Sequence, residues 1–225
     1  MSASSKPGKD NFTRYLVIGV VVLVLGIMVI PTFLSKTKSV SQVIPSTVSA
    51  ADGYAVVFNG EVKNVPVVDI YEDFQCPICQ QFEGLNGKYI SSLVTDKKAT
   101  VKFHILSFIG PESVRAANAS ACANDEGKFV DFHNALYANQ PTAENSGAWT
   151  NDRLIAIAGA VGIKSDSFNS CVKDMKYEGW VGKVAEAGSK AGVNSTPTVF
   201  VGGKEIDRNT EYFSADKFKA AVERG

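Results

Sequence analysis

The stretch VPVVDIYEDFQCPICQQFEGL, residues 65–85, constrains this chain more than any other. Its first part, Val65 to Ile70, is apolar and rich in β-branched residues, which predicts a buried strand. The pattern breaks at Glu72 and Asp73 and runs into Cys76-Pro77-Ile78-Cys79, after which a helical pattern follows. Pro77 suits the first turn of a helix, where its missing N–H costs nothing. Cys76 then sits where unpaired backbone N–H groups and the positive end of the helix dipole converge. That setting lowers a thiol's pKa below its free value of about 8.5 and yields a reactive thiolate. Cys79 lies on the same helical face, close enough to bond to Cys76 and to resolve a mixed disulfide formed there. A C-x-x-C pair can also be half of a zinc site. That use needs two further ligands at close spacing. Cys122 and Cys171 are isolated, and neither His104 nor His133 flanks them. The strand-then-helix setting favours a redox pair and no metal.

The chain has 225 residues, 23 basic and 23 acidic, so its net charge is zero. No basic stripe points to nucleic acid. The first ten residues are polar and read as unpacked. Residues 15–35 carry no charge, and YLVIGVVVLVLGIMVI predicts one transmembrane helix, with Pro31 near its far end. A cleaved signal peptide is the competing reading. Its apolar region would span about 7–15 residues, with a small-residue cleavage site close behind. The best such site here, Val48-Ser49-Ala50, stands well past the apolar run, which favours an uncleaved anchor. Lys6, Lys9 and Arg14 precede the helix, and Lys36 and Lys38 follow it. So short an N-terminal tail normally stays inside. The rest of the chain then faces an oxidising space in which disulfides persist. The expected divisions are a cytoplasmic tail (1–14), a transmembrane helix (15–35) and a Ser/Thr-rich linker (36–52).

Beyond the linker, Tyr54 to Phe58 predicts a strand ending at the turn signal Asn59-Gly60, with Glu61-Val62-Lys63 as a possible hairpin partner. The Val65 strand and a helix from Cys76 to about Thr95 follow. Gly84 and Gly87 lie inside that helix, where each costs about 1 kcal/mol relative to Ala and invites a bend. Thr100 to Ile109 alternates and predicts another strand. Residues 111–191 read as helical: Glu112 to Ala123, Glu126 to Asn139, Arg153 to Val161 capped by Asn151 or Asp152, Ser165 to Met175, and Tyr177 to Ala191. Strands return at Val199 to Val201 and Lys204 to Ile206, joined by Gly202-Gly203. A last helix spans Ala215 to Arg224, capped by Ser214.

The order of strand, strand, CPIC helix, strand, helical block, STPTVFVGGKEI and final helix resembles the thioredoxin fold with an inserted helical domain, as in the DsbA-like thiol oxidoreductases. The fold class expected is therefore α/β, in three parts. Residues 53–110 form the first part of the thioredoxin domain, 111–191 the all-helical insertion, and 192–225 the second part. The resemblance implies a cis Thr196-Pro197 bond beside the active-site disulfide. An extended substrate would pair with the backbone of Thr196 there, and the Thr196 hydroxyl could hydrogen-bond a thiolate. Between the cysteines stands Pro-Ile, where the enterobacterial relative has Pro-His, so Ile78 offers the thiolate no polar donor. Where thioredoxin has a buried aspartate before its first cysteine, this chain has Ile70. Glu72 or Asp73 could relay protons instead, or both could be solvated loop charges.

In an oxidising compartment Cys122 and Cys171 suggest a structural disulfide, with two separate buried thiols as the alternative. His133 keeps a helical period with Phe129 and Phe132, which favours packing over catalysis, and His104 within a strand reads as structural. The resemblance implies a membrane-anchored, extracytoplasmic enzyme that oxidises exported proteins with free cysteines and uses no cofactor. A quinone-linked membrane protein of the DsbB or VKOR type would reoxidise it. A reductase or isomerase kept reduced is the alternative. A tethered non-catalytic binding module on the same scaffold is disfavoured by the intact CPIC and Thr-Pro pair.

Overall fold

The computed structural model describes residues 42–225. The expected tail, the transmembrane helix at 15–35 and the start of the linker lie outside them. Among the described residues, no helix is long and apolar enough to cross a membrane.

In chain order the elements are β1 (Val56–Phe58), β2 (Val67–Glu72), α1 (Pro77–Thr95), β3 (Thr100–Ile105), α2 (Pro111–Asp125), α3 (Phe129–Ala138), α4 (Asn151–Ala160), α5 (Asp166–Lys173), α6 (Glu178–Lys190), β4 (Thr198–Val201), β5 (Lys204–Glu205) and α7 (Ala215–Arg224). The sheet order is β1-β3-β2-β4-β5. β2 and β3 run parallel, as a strand–helix–strand crossover through α1 requires, and the other neighbours pair antiparallel. The result is the α/β thioredoxin-like arrangement, with five helices inserted between β3 and β4.

Several boundaries differ from expectation for local reasons. Tyr54 has φ +61 and cannot lie in a ladder, so the first strand begins at Val56. Asn59 and Asn64 also take positive φ, and the segment between them is a turn rather than a hairpin strand. The strand from Thr100 stops at Ile105. The N-cap of α4 is Thr150, whose hydroxyl accepts the Arg153 N–H, rather than Asn151 or Asp152. Ser165 caps α5, its hydroxyl accepting the Phe168 N–H, while Ser214 sits at the start of α7 without a side-chain bond.

Strand alternation sorts the two sheet faces. Ile70 pairs with Phe103, and on their face Phe103 meets Phe129 and His133 of α3. On the other face Tyr71 stacks on His104, with ring centroids 3.9 Å apart. Gly188 of α6 packs there, where a Cβ would stand 3.1 Å from Leu106. His104 also bonds Asp69 Oδ1 at 2.9 Å, a structural role. Sheet and insertion share one continuous core that includes Trp149, Trp180 and Phe132. Within it Cys122 of α2 is bonded to Cys171 of α5, Cα to Cα 5.9 Å, which ties the first long helix of the insertion to a later one.

Candidate active site

Cys76 is the N-cap of α1 and Pro77 its first residue. The backbone there is extended, with φ −71 and ψ 116, so Cys76 Sγ turns back over the helix end and accepts the Cys79 N–H at 3.4 Å. Both thiols are unbonded, so this is the dithiol form. The Cys76 pKa is pulled down to about 6. The main cause is a hydrogen bond from the Cys79 thiol, helped by the Thr196 hydroxyl and the N–H groups of Cys79 and Ile78, against the opposing effect of burial. Cys79 is fully buried, and its pKa is driven well up by burial, by its bond to Cys76 and by the negative charge of Glu72. The pair thus divides into a thiolate and a protonated thiol. Ile78 is 47% exposed and points no polar group at the pair.

The Thr196-Pro197 bond is cis. Thr196 O stands 3.5 Å from Cys76 Sγ, within reach of its thiol form, so this loop lies against that sulfur. Arg208 holds the loop from behind, donating through Nη2 to Ser195 Oγ at 2.8 Å and to Thr198 Oγ1 at 2.9 Å. Thr198 Oγ1 in turn donates to Ser195 O at 2.8 Å. Nothing in the local sequence singles out Arg208; its role comes from the fold bringing the chain after β5 back to the loop.

Neither acidic residue before the cysteines is solvated. β2 runs through Glu72, which is in phase with Val68 and Ile70 and therefore points into the core beneath α1. Its Oε2 shares a 3.0 Å hydrogen bond with His133 Nε2. Burial pushes the Glu72 pKa up to about 8, a hydrogen bond from Glu83 lowers it, and the charge of Cys76 raises it. Asp73 has a different task. Its Oδ1 accepts from Gln75 N at 2.9 Å and Ser113 Oγ at 2.6 Å, and its Oδ2 from Ile109 N at 3.1 Å. It clasps the cysteine loop to the start of the helical insertion, and burial raises its pKa against those bonds.

Glu83 joins this site without having been singled out from the sequence. The signal was its place in the inward stripe of α1, among Cys79, Phe82, Asn86 and Ile90. A carboxylate in such a stripe needs a partner. Glu72 and Glu83 each bring a carboxylate oxygen, and His133 a ring nitrogen, within 4.8 Å of one another, all buried. Gly87 makes room for the Glu83 carboxylate: a Cβ there would collide with Glu83 Oε2. Around Gly84, by contrast, a Cβ would meet nothing within 4 Å. Burial raises the Glu83 pKa well above the carboxylate range, reinforced by Glu72, and lowers that of His133. His133 packs among Phe74, Phe103, Phe129 and Tyr137 as its period suggested, and also touches Glu72.

Residues 55–224 match the family model described as Thioredoxin. The serine/threonine-protein kinase PknE of Mycobacterium tuberculosis is 30% identical over 158 residues, 64% of this chain. The chain spans only 28% of that kinase's length. Disulfide bond formation protein D of Bacillus subtilis is 28% identical over 168 residues, 71% of this chain and 72% of the relative. Among solved structures, the MdbA protein of Actinomyces oris, a thiol-disulfide oxidoreductase, superposes with a TM-score of 0.70 at 28% identity, covering 81% of this chain and 89% of the other. The CPIC helix, the cis proline loop against it and these likenesses agree: the chain belongs to the thioredoxin family, among its DsbA-like thiol-disulfide oxidoreductases.

Proposed function

We propose that this protein is a membrane-anchored, extracytoplasmic thiol:disulfide oxidoreductase that introduces disulfides into exported proteins through Cys76 and Cys79. The observation that carries the reading is the split between the two thiols: Cys76 held as a thiolate at the start of α1, Cys79 held protonated behind it. A stabilised thiolate belongs to the reduced form, and stabilising the reduced form makes the disulfide a stronger oxidant. The uncharged run at residues 15–35 supports the anchor.

In the oxidised enzyme a substrate thiolate attacks Cys76 Sγ. The Cys76–Cys79 bond breaks, and Cys79 leaves with the bonding pair and takes a proton. A second substrate thiolate then attacks the substrate sulfur of the mixed disulfide, and Cys76 departs as its stabilised thiolate. The substrate has lost two electrons, and the enzyme is left as the dithiol. During these steps the extended substrate lies along the backbone of Thr196 beside Pro197. Glu72, buried beneath Cys79, serves as its proton donor and acceptor. A quinone-linked membrane protein of the DsbB or VKOR type then accepts the two electrons and restores the disulfide.

Acid quenching and alkylation of growing cells tests the direction. A pair trapped mainly as the disulfide supports net oxidation. A pair trapped mainly as the dithiol would reject it in favour of a reductase.

A further inference from the structure

The groove between α1 and α3 holds about 570 Å3, and its lining includes Glu83, Gly87 and Ser91 from α1 and Asn134 and Tyr137 from α3. It reaches the same buried cluster that lies under Cys79. His133 lies within this cluster, behind Asn134 of the groove lining: its Nε2 faces Glu72 Oε2 at 3.0 Å, and its Nδ1 faces Asn134 Oδ1 at 3.4 Å. The amide of Asn134 is oriented by its Nδ2, which donates to Ser91 Oγ at 2.9 Å, so that its oxygen is the atom turned to the imidazole. With Nδ1–H donating to that oxygen, Nε2 is the unprotonated nitrogen and can accept a proton from Glu72. Glu83 approaches Glu72 from the groove side, seated in the space that Gly87 leaves open.

We propose that His133 and Glu83 form the outer half of a proton relay, which connects Cys79 through Glu72 to the groove between α1 and α3. The inference rests on the oxidoreductase reading above and adds the route by which the second thiol exchanges its proton with solvent. During reoxidation, Cys76 thiolate attacks a disulfide of the partner and a mixed disulfide forms. Cys79 must then lose its proton before its sulfur can attack Cys76 Sγ and expel the partner's second thiolate. Glu72 takes that proton. It passes to His133 Nε2 or to Glu83 within the same cluster, and Glu83, whose side chain lines the groove, releases it there. In the opposite direction, the departing Cys79 thiolate draws its proton inward along the same path. The titratable groups facing Glu72 are Glu83, Cys76 and Cys79 from the α1 side and His133 and Tyr137 from α3, with Asp73 following it in its own loop. Lys88 stands further out in the groove lining.

The relay separates in an assay with an aromatic disulfide that releases a coloured thiolate. Reduced full-length protein releases one equivalent when Cys76 attacks and a second when Cys79 closes the enzyme's disulfide. His133→Phe keeps the aromatic packing, and Gly87→Ala displaces the Glu83 carboxylate while favouring the helix. Both should leave the first phase unchanged and slow the second about tenfold or more, a modest share of what acid–base groups supply. Both should also move the inflection of the second phase to higher pH, because Glu72 loses a polar partner and its charged form becomes harder to hold. His133→Gln keeps a hydrogen bond to Glu72 but cannot pass a proton, and it should remain slow. Recovery of the second phase in His133→Gln would show that His133 only supports the structure, and would overturn the relay. A second phase unchanged in folded Gly87→Ala would overturn it as well. So would stoichiometric zinc in the purified protein, since carboxylates and imidazole engaged by a metal hold no mobile proton. A wild-type protein that releases no thiolate from Cys76 would instead defeat the oxidoreductase reading on which the relay rests.

Discussion

His133 Nε2 of α3 and Glu72 Oε2 at the end of β2 stand 3.0 Å apart, both fully buried. One belongs to the helical insertion and the other to the sheet. The insertion therefore supplies part of the polar environment of the cysteine pair, besides covering the sheet. Such a buried acid carries a stability cost that depends on pH, which can be measured without any substrate.

Glu72 has its pKa raised from 4.5 to about 8 by burial. A carboxyl group with a raised folded pKa contributes fully to stability below its unfolded pKa, and the contribution is lost as pH rises towards the folded value. The disulfide form, in which Cys76 does not titrate, should thus become less stable from about pH 4.5 to about 8. The loss is up to about 1.4 kcal/mol per pH unit for each such group. Glu72→Gln should make the slope shallower, with the contribution of Glu83 remaining. Denaturant titrations across that range check this, and an unchanged slope in the variant would count against the burial argument.

Cys76 should be alkylated ahead of Cys79 in the reduced protein. The rate should rise with pH through an inflection near 6, where the Cys76 thiolate forms. Cys79, buried and held protonated, should stay unlabelled well above that pH. Peptide mass spectrometry after brief exposure to iodoacetamide reads both sites. Label found mainly on Cys79 would reverse the assigned roles.

Replacing Cys122 and Cys171 together by Ser should weaken the fold and leave the redox chemistry intact. The bond closes a loop across a sequence separation of 49 residues. On the chain-entropy estimate such a loop contributes about 4 kcal/mol, or roughly 10 °C in melting temperature for a domain of this size. A double variant that folds but no longer oxidises a reduced test protein would contradict this division of labour.

Ile78→His should raise the reduction potential and lower the Cys76 pKa together. Ile78 stands exposed between the cysteines and offers the thiolate no charge. A protonated imidazole there stabilises the thiolate, and therefore the reduced form, by about 30 mV for each pKa unit gained. Equilibration against glutathione measures the potential, and the pH dependence of thiolate absorbance measures the pKa. A drop in pKa without a rise in potential would break the link between them.

Much of the site could be read along the chain, because its pieces are local. A strand that breaks into Cys-Pro-x-Cys and then a helix defines the position of Cys76 by backbone geometry alone. The thiolate follows from the N–H groups at that helix end. The helical insertion was legible from its 3.6-residue periods, and the Thr196-Pro197 loop from its resemblance to the thioredoxin pattern. The acidic layer was different. Glu72 and Asp73 are consecutive charges at a strand end, and sequence leaves both burial and solvation open to them. Tertiary structure decided, because β2 extends far enough for Glu72 to point inward with Ile70, while Asp73 turns to bond Ser113 and Ile109. Glu83, Gly87 and His133 acquire their meaning only when α1 and α3 pack together. Arg208 acquires its own only when the chain after β5 returns to the proline loop. Hydrophobic period and capping act over a few residues, so the sequence by itself determined the helices and the place of Cys76 at a helix start. Which polar groups share a proton in the core depends on contacts between distant segments, and those exist only in the folded protein.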